Sequence, residues 1–144
     1  MEYNEETIRI RSIEDLKLLD IQEVATIISL ISDMLSYQTV LQSKQLIYIK
    51  YNTGEDVVEP TPDKKALQSV YLYIIAKVLY TQVGFIRYDN LYQRSMEGEF
   101  NYSLEPNVDV NIGNILSLLG LMYTFAGAKE FVIRDTNLPV FGIR

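Results

Sequence analysis

Between residues 24 and 35, Val24, Ile27, Ile28, Ile31, Met34 and Leu35 recur at steps of three and four, the spacing of one face of an α-helix. Leu30, Tyr37 and Leu41 add a second apolar stripe, so the pattern predicts a long helix that touches neighbours on two sides. Ser12 followed by Asp15, and Asp20 followed by Glu23, have the spacing of helix N-terminal caps, which predicts a short helix leading into the long one. The run LIYIKY (46–51) then mixes β-branched and aromatic residues, NTGED follows as a turn, and Val57 and Val58 form a short apolar pair. A β-hairpin over 46–58 is expected; the alternative is that the long helix runs on through Tyr48.

Thr61-Pro62-Asp63 is a helix start: threonine caps, proline suits the first helical position, and aspartate suits the positive end of the dipole. The helix is expected from Pro62 to Val83, with Leu67, Val70, Tyr71, Ile74, Val78 and Thr81 on one face and Leu72, Ile75 and Leu79 on another. Gly84 marks a break or bend before FIRYDNLYQR (85–94) continues or restarts. From 99 to 112 the period changes to two: Phe100, Tyr102 and Leu104, then the turn residues Glu105, Pro106 and Asn107, then Val108, Val110 and Ile112 predict a second hairpin. Asn114 is expected to cap an apolar helix ending near Gly127, and the last segment to form two short strands around a turn at 135–137. Helices interleaved with hairpins predict a mainly α (α+β) fold, a helical domain with small β-hairpin insertions near 46–58 and 99–112, in a single domain over 1–144.

Composition bears on solubility and location. With 48% hydrophobic and 22% charged residues the chain is expected to be soluble, since apolar stretches such as 70–79 are interrupted by Lys77. The N-terminal residues lack the pattern of a secretory signal, which predicts a cytoplasmic protein with no membrane association. The net charge of −6 disfavours indiscriminate binding to nucleic acid, yet it is unevenly spread. Residues 1–35 hold eight acidic and three basic side chains (−5), 36–94 five and seven (+2), and 95–144 six and three (−3). The basic middle also holds eight of the eleven tyrosines.

The chain contains neither histidine nor cysteine, which removes Ser-His-Asp and Cys-His nucleophiles, thiolate and histidine metal sites and imidazole acid-base chemistry. Its seven glycines form no phosphate-binding loop. Glu97, Glu99, Glu105 and Asp109 fall on or beside the second predicted hairpin, where an exposed charged face explains them better than an acid-base pair. Glu55, Asp56 and Glu59 lack the order of a calcium loop. Lys77 reads as a snorkelling side chain rather than a nucleophile. No cofactor or metal is expected, and no enzymatic activity.

The candidate site is Arg87, Tyr88, Tyr92 and Arg94. On a helix Arg87, Leu91 and Arg94 share one side and Tyr88 and Tyr92 another, so the segment can hold single-stranded RNA or DNA, or form a protein interface. The plain account has half-buried tyrosines and Arg87 paired with Asp89 or Glu97. As an arrangement of elements over 20–128, a capped apolar helix, the insertion LIYIKYNTGEDVV, the helix DKKALQSVYLYIIAKVLY, a hairpin and the helix ILSLLGLMYTFAGA, the chain resembles the small subunit of archaeal type I-A CRISPR surveillance complexes. That resemblance implies a noncatalytic assembly or binding subunit contacting neighbouring subunits and nucleic-acid backbone. The alternative is a small viral or mobile-element structural or regulatory protein that works through protein contacts or self-association.

Overall fold

A computed structural model describes residues 5–55, 57 and 61–135. Three helices account for nearly all of them: α1 (Glu5–Thr53), α2 (Thr61–Met96) and α3 (Glu105–Asp135). At 1.5 Å per residue these are rods of about 74, 54 and 46 Å.

The mainly helical class holds, but there is no strand among the described residues, so neither hairpin insertion is present. Residues 46–53 are the last turns of α1. No glycine or proline interrupts α1 before Gly54, and its alternating apolar residues can occupy a helix with apolar positions all round. The helix stops where Gly54 takes a left-handed conformation (φ 72°) and its N–H reaches the Lys50 carbonyl at 2.8 Å. Over 99–112 the period-two pattern gives way to helix from Glu105 onward. The Ser103 hydroxyl accepts the Glu105 N–H at 3.1 Å, and Pro106 lies in the first turn, where its missing donor costs nothing.

The predicted helix boundaries move as well. Ser12 lies inside α1 and its hydroxyl donates back to the Ile8 carbonyl at 2.8 Å, so it caps nothing. Asn114 is likewise interior, α3 runs past Gly127 to Asp135, and of the expected terminal strands 131–135 is helix while 136–144 lies outside the described residues. The second half of the first hairpin is also outside them, apart from Val57. α2 crosses Gly84 without a break and ends at Gly98 (φ 78°), where Glu99 N–H bonds the Arg94 carbonyl (3.1 Å) and Gly98 N–H that of Ser95 (3.0 Å), a Schellman closure.

Helix α2 packs against both of the others, while no α1 Cα comes within 8 Å of an α3 Cα. The three rods form an open layer with α2 in the middle. Burial repeats every seven residues: Leu18, Ala25, Ser32 and Leu46 on α1, with half-buried Thr39 filling the series, face Pro62, Ser69, Ala76 and Val83 on α2. A seven-residue repeat is what keeps one stripe of a helix against its neighbour over many turns. On α3 the corresponding positions are buried Asn111 and half-buried Leu118, Phe125 and Val132.

The residues inside these seams are not those the apolar pattern selects. Val24, Ile27, Ile31 and Met34, read as a core face, are all exposed, and only Ile28 and Leu35 of that stripe are half-buried. Serine, alanine, glycine and asparagine fill much of the seams, and leucine, isoleucine, methionine and tyrosine point away from the protein.

Candidate functional site

The seams are polar at their centres. Ser32 Oγ donates to the Ser69 carbonyl at 2.7 Å, Ser69 Oγ donates to the Ser32 carbonyl at 3.0 Å, and Ser36 Oγ lies 2.6 Å from Ser69 Oγ. Only a side chain as short as serine lets two backbones approach closely enough for hydroxyls to reach the opposite carbonyls. In the second seam Asn111 Nδ2 donates to the Gly84 carbonyl at 3.3 Å, and a Cβ on residue 84 would overlap Asn111 Oδ1. Gly84 thus serves the close approach of α3, with the Asn111 amide in the space of a side chain, and marks no bend.

A second polar row runs along α2 beside the α1 seam. Tyr73, Tyr80, Arg87 and Arg94 recur at seven-residue intervals and each meets α1. Tyr73 hydrogen-bonds Asp33, and the Tyr80 hydroxyl lies 2.7 Å from Thr26 Oγ1. Arg87 donates to Gln22 Oε1 at 3.2 Å, and Arg94 takes Asp15 with both guanidinium arms, each at 3.0 Å. Arg11 continues the row in the other direction by pairing with Glu97 and Glu99. On the α3 side of the same strip, Lys77 donates to Asn114 Oδ1 at 3.2 Å and its ammonium lies 5.9 Å from the Tyr80 ring centre.

The four residues singled out in the sequence therefore divide. Arg87 and Arg94 sit together against α1, with Gln22 and Asp15 as partners rather than Asp89 or Glu97. Tyr88 and Tyr92 form a separate pair with ring centres 6.3 Å apart and planes inclined at 21°. Tyr88 is half-buried and Tyr92 exposed. The serine contacts and the Asp33 and Lys77 contacts escaped the sequence reading, although small residues at 25, 32, 69 and 76 repeat at a seven-residue interval that could have located the α1–α2 seam.

Charge is arranged in bands. Residues 24–43 contain only Asp33 as a charged side chain, 66–86 only Lys77, and 110–128 none. The contacts Ser32–Ser69, Lys65–Gln38, Gly84–Asn111 and Tyr71–Phe125 set much of these stretches side by side. Each is close to the ~20 residues that cross a ~30 Å hydrocarbon layer. All three helices are long and apolar enough to cross a membrane, and among the described residues of α3 only Asn111 is buried by the protein.

No family model matches the chain, and neither a curated protein nor a solved structure matches it.

Proposed function

We propose that the chain is a noncatalytic membrane-embedded assembly subunit, with α1, α2 and α3 crossing the bilayer side by side. The observation that carries this is the inverted distribution of side chains. Buried apolar residues among those described are Leu18, Ala25, Leu46, Ala76 and Val83, two of them alanine, whereas Leu30, Met34, Tyr37, Leu116 and Tyr123 are each more than half exposed. In water, contiguous apolar surface of that extent drives association or precipitation. In lipid it is the favourable outer surface, every backbone group is satisfied within its own helix, and helices associate through small residues and interhelical hydrogen bonds, as these seams do.

The role by contact rather than chemistry rests on the missing imidazole and thiol groups. A membrane location departs from the expectation of a soluble, cytoplasmic protein, whose soluble part was based on composition and on Lys77 interrupting the apolar stretch. That single lysine is bonded to Asn114 and lies near Tyr80, so it does not prevent its helix from entering a bilayer. The resemblance to a CRISPR small subunit drew on hairpins at 46–58 and 99–112, where 46–53 and 105–112 are helix. Arg87 and Arg94, the cations the sequence offered for nucleic acid, are engaged with Gln22 and Asp15.

Alkaline carbonate extraction of cells expressing the chain decides the matter. The protein is expected to stay in the membrane pellet and to be released by detergent. Release into the carbonate supernatant would overturn the membrane assignment and favour a soluble assembly whose copies bury the same apolar sides; retention of single-stranded RNA by that soluble material would favour the ribonucleoprotein role.

A further inference from the structure

Asp33 and Lys77 are the two charged groups of the apolar bands, and both lie on the same side of the layer. Asp33 meets Tyr73, and Tyr73, Lys77 and Tyr80 follow one another at steps of four and three on α2, which makes them neighbours on a single strip. The two charges therefore sit within about one helical turn of each other in depth, Asp33 on α1 and Lys77 where α2 meets α3. Among the described residues neither makes an ion pair: Asp33 is held by the Tyr73 hydroxyl and Lys77 by Asn114 Oδ1 at 3.2 Å, both neutral groups. Charges at membrane depth are costly and are found paired or facing a protein interior. Because α1 and α3 do not meet, no described helix covers this side of the layer.

We infer that a second copy of the chain covers this side, related by a two-fold axis along the bilayer normal, so that Asp33 of each copy pairs with Lys77 of the other. The inference rests on the membrane reading. Rotation by 180° about the normal preserves depth and sets α1 of one copy opposite α3 of the second, beside which that copy's Lys77 lies. One operation thus supplies both missing relationships, a neighbour for α1 and α3 and an opposite charge for Asp33 and for Lys77. Such an interface is self-complementary and closes at two copies, giving a six-helix ring. The complementarity is of charge: each copy offers one acid and one base at matching depth, so two copies neutralise each other completely.

The absence of cysteine makes the test clean. Asp33→Cys and Lys77→Cys chains carrying tags of different size are co-expressed, membranes are isolated, and oxidation is followed by non-reducing electrophoresis. A mixed disulfide between the two tags is expected, with none between Met34→Cys and Val78→Cys chains, which place the thiols elsewhere on the layer. Absence of the mixed disulfide in carbonate-resistant membranes overturns the dimer while leaving the membrane assignment standing; release by carbonate is a failure of that assignment instead. A charge test runs beside it on native-length chains. Asp33→Lys alone should lower the dimer-to-monomer ratio in mild detergent at least tenfold, and Asp33→Lys/Lys77→Asp should restore it. A single variant that dimerises like the parent, or a double variant that stays monomeric while Asp33→Lys does too, overturns the pairing.

Discussion

Asn111 of α3 lies directly over Gly84 of α2, donating to its carbonyl at 3.3 Å and occupying the space a side chain there would need. Alanine at 84 gains about 1 kcal/mol in helix propensity but must displace a buried asparagine and its hydrogen bond, which costs about 1–3 kcal/mol. Gly84→Ala is therefore expected to lower thermal stability in detergent micelles by about 1 kcal/mol net. Gly84→Ala/Asn111→Ala should recover most of the loss, because the obstructing amide is gone. Melting followed by circular dichroism measures both.

Ser69 is the hub of the α1–α2 seam, engaged with Ser32 and Ser36. Ser69→Ala removes those bonds without changing the spacing and should cost about 0.5–2 kcal/mol. Ser69→Leu cannot fit between the backbones. It should separate α1 from α2, read as loss of disulfide formation between cysteines placed at 25 and 76, while helix content stays near the parent value.

Tyr73 donates to Asp33 within the apolar band. If water surrounded this face, an exposed carboxylate would replace the lost bond with solvent, and Tyr73→Phe would be nearly silent. In a bilayer the same substitution removes a donor from an ion at membrane depth and should cost about 1.5–3 kcal/mol, the range for hydrogen bonds to charged groups. Asp33→Asn in the Tyr73→Phe background should recover stability in part. Unfolding in mixed micelles compares the four chains.

Arg94 and Asp15 lie beyond the band, where water screens them. Asp15 is about half exposed (51%), so the bidentate pair is worth no more than about 1 kcal/mol. Arg94→Ala should lower stability by that amount at low salt and by less at high salt. The loss should appear with no nucleic acid present, which separates a seam role from the binding role the sequence suggested for this residue.

The helical class was legible because propensity and capping work on the local chain: Thr61-Pro62 opens a helix as its chemistry requires, whereas Gly54, read as part of a hairpin turn, and Gly98 proved to close two helices. The faces were not legible. Assigning Val24, Ile27 and Ile31 to a core assumes that the surroundings are polar and that apolar groups turn inward. With seams built from Ser32, Ser69, Ala76 and Gly84 the direction is reversed, and the hydrophobic stripe marks the outside. The predicted hairpins failed for a related reason: LIYIKY and the 108–112 alternation belong to helices apolar on nearly every side, where a period of two has no distinct signature. Arg87 and Arg94 were placed on one face as spacing dictates, but their partners come from a helix some 65 and 79 residues earlier in the chain, a separation no local pattern encodes.

Helix α1 begins about 28 Å of rod before its apolar band, and the end of α2 travels with it, stapled by Arg94–Asp15 and Arg11–Glu97. Neither helix has a proline or a left-handed glycine where this projecting pair enters the band. The projection is consequently a stiff mast. On the proposed membrane reading, a force applied at the tip bends the rods against the Ser32–Ser69 contact as against a fulcrum, and a tilt of the mast outside the bilayer becomes a tilt of the helices within it.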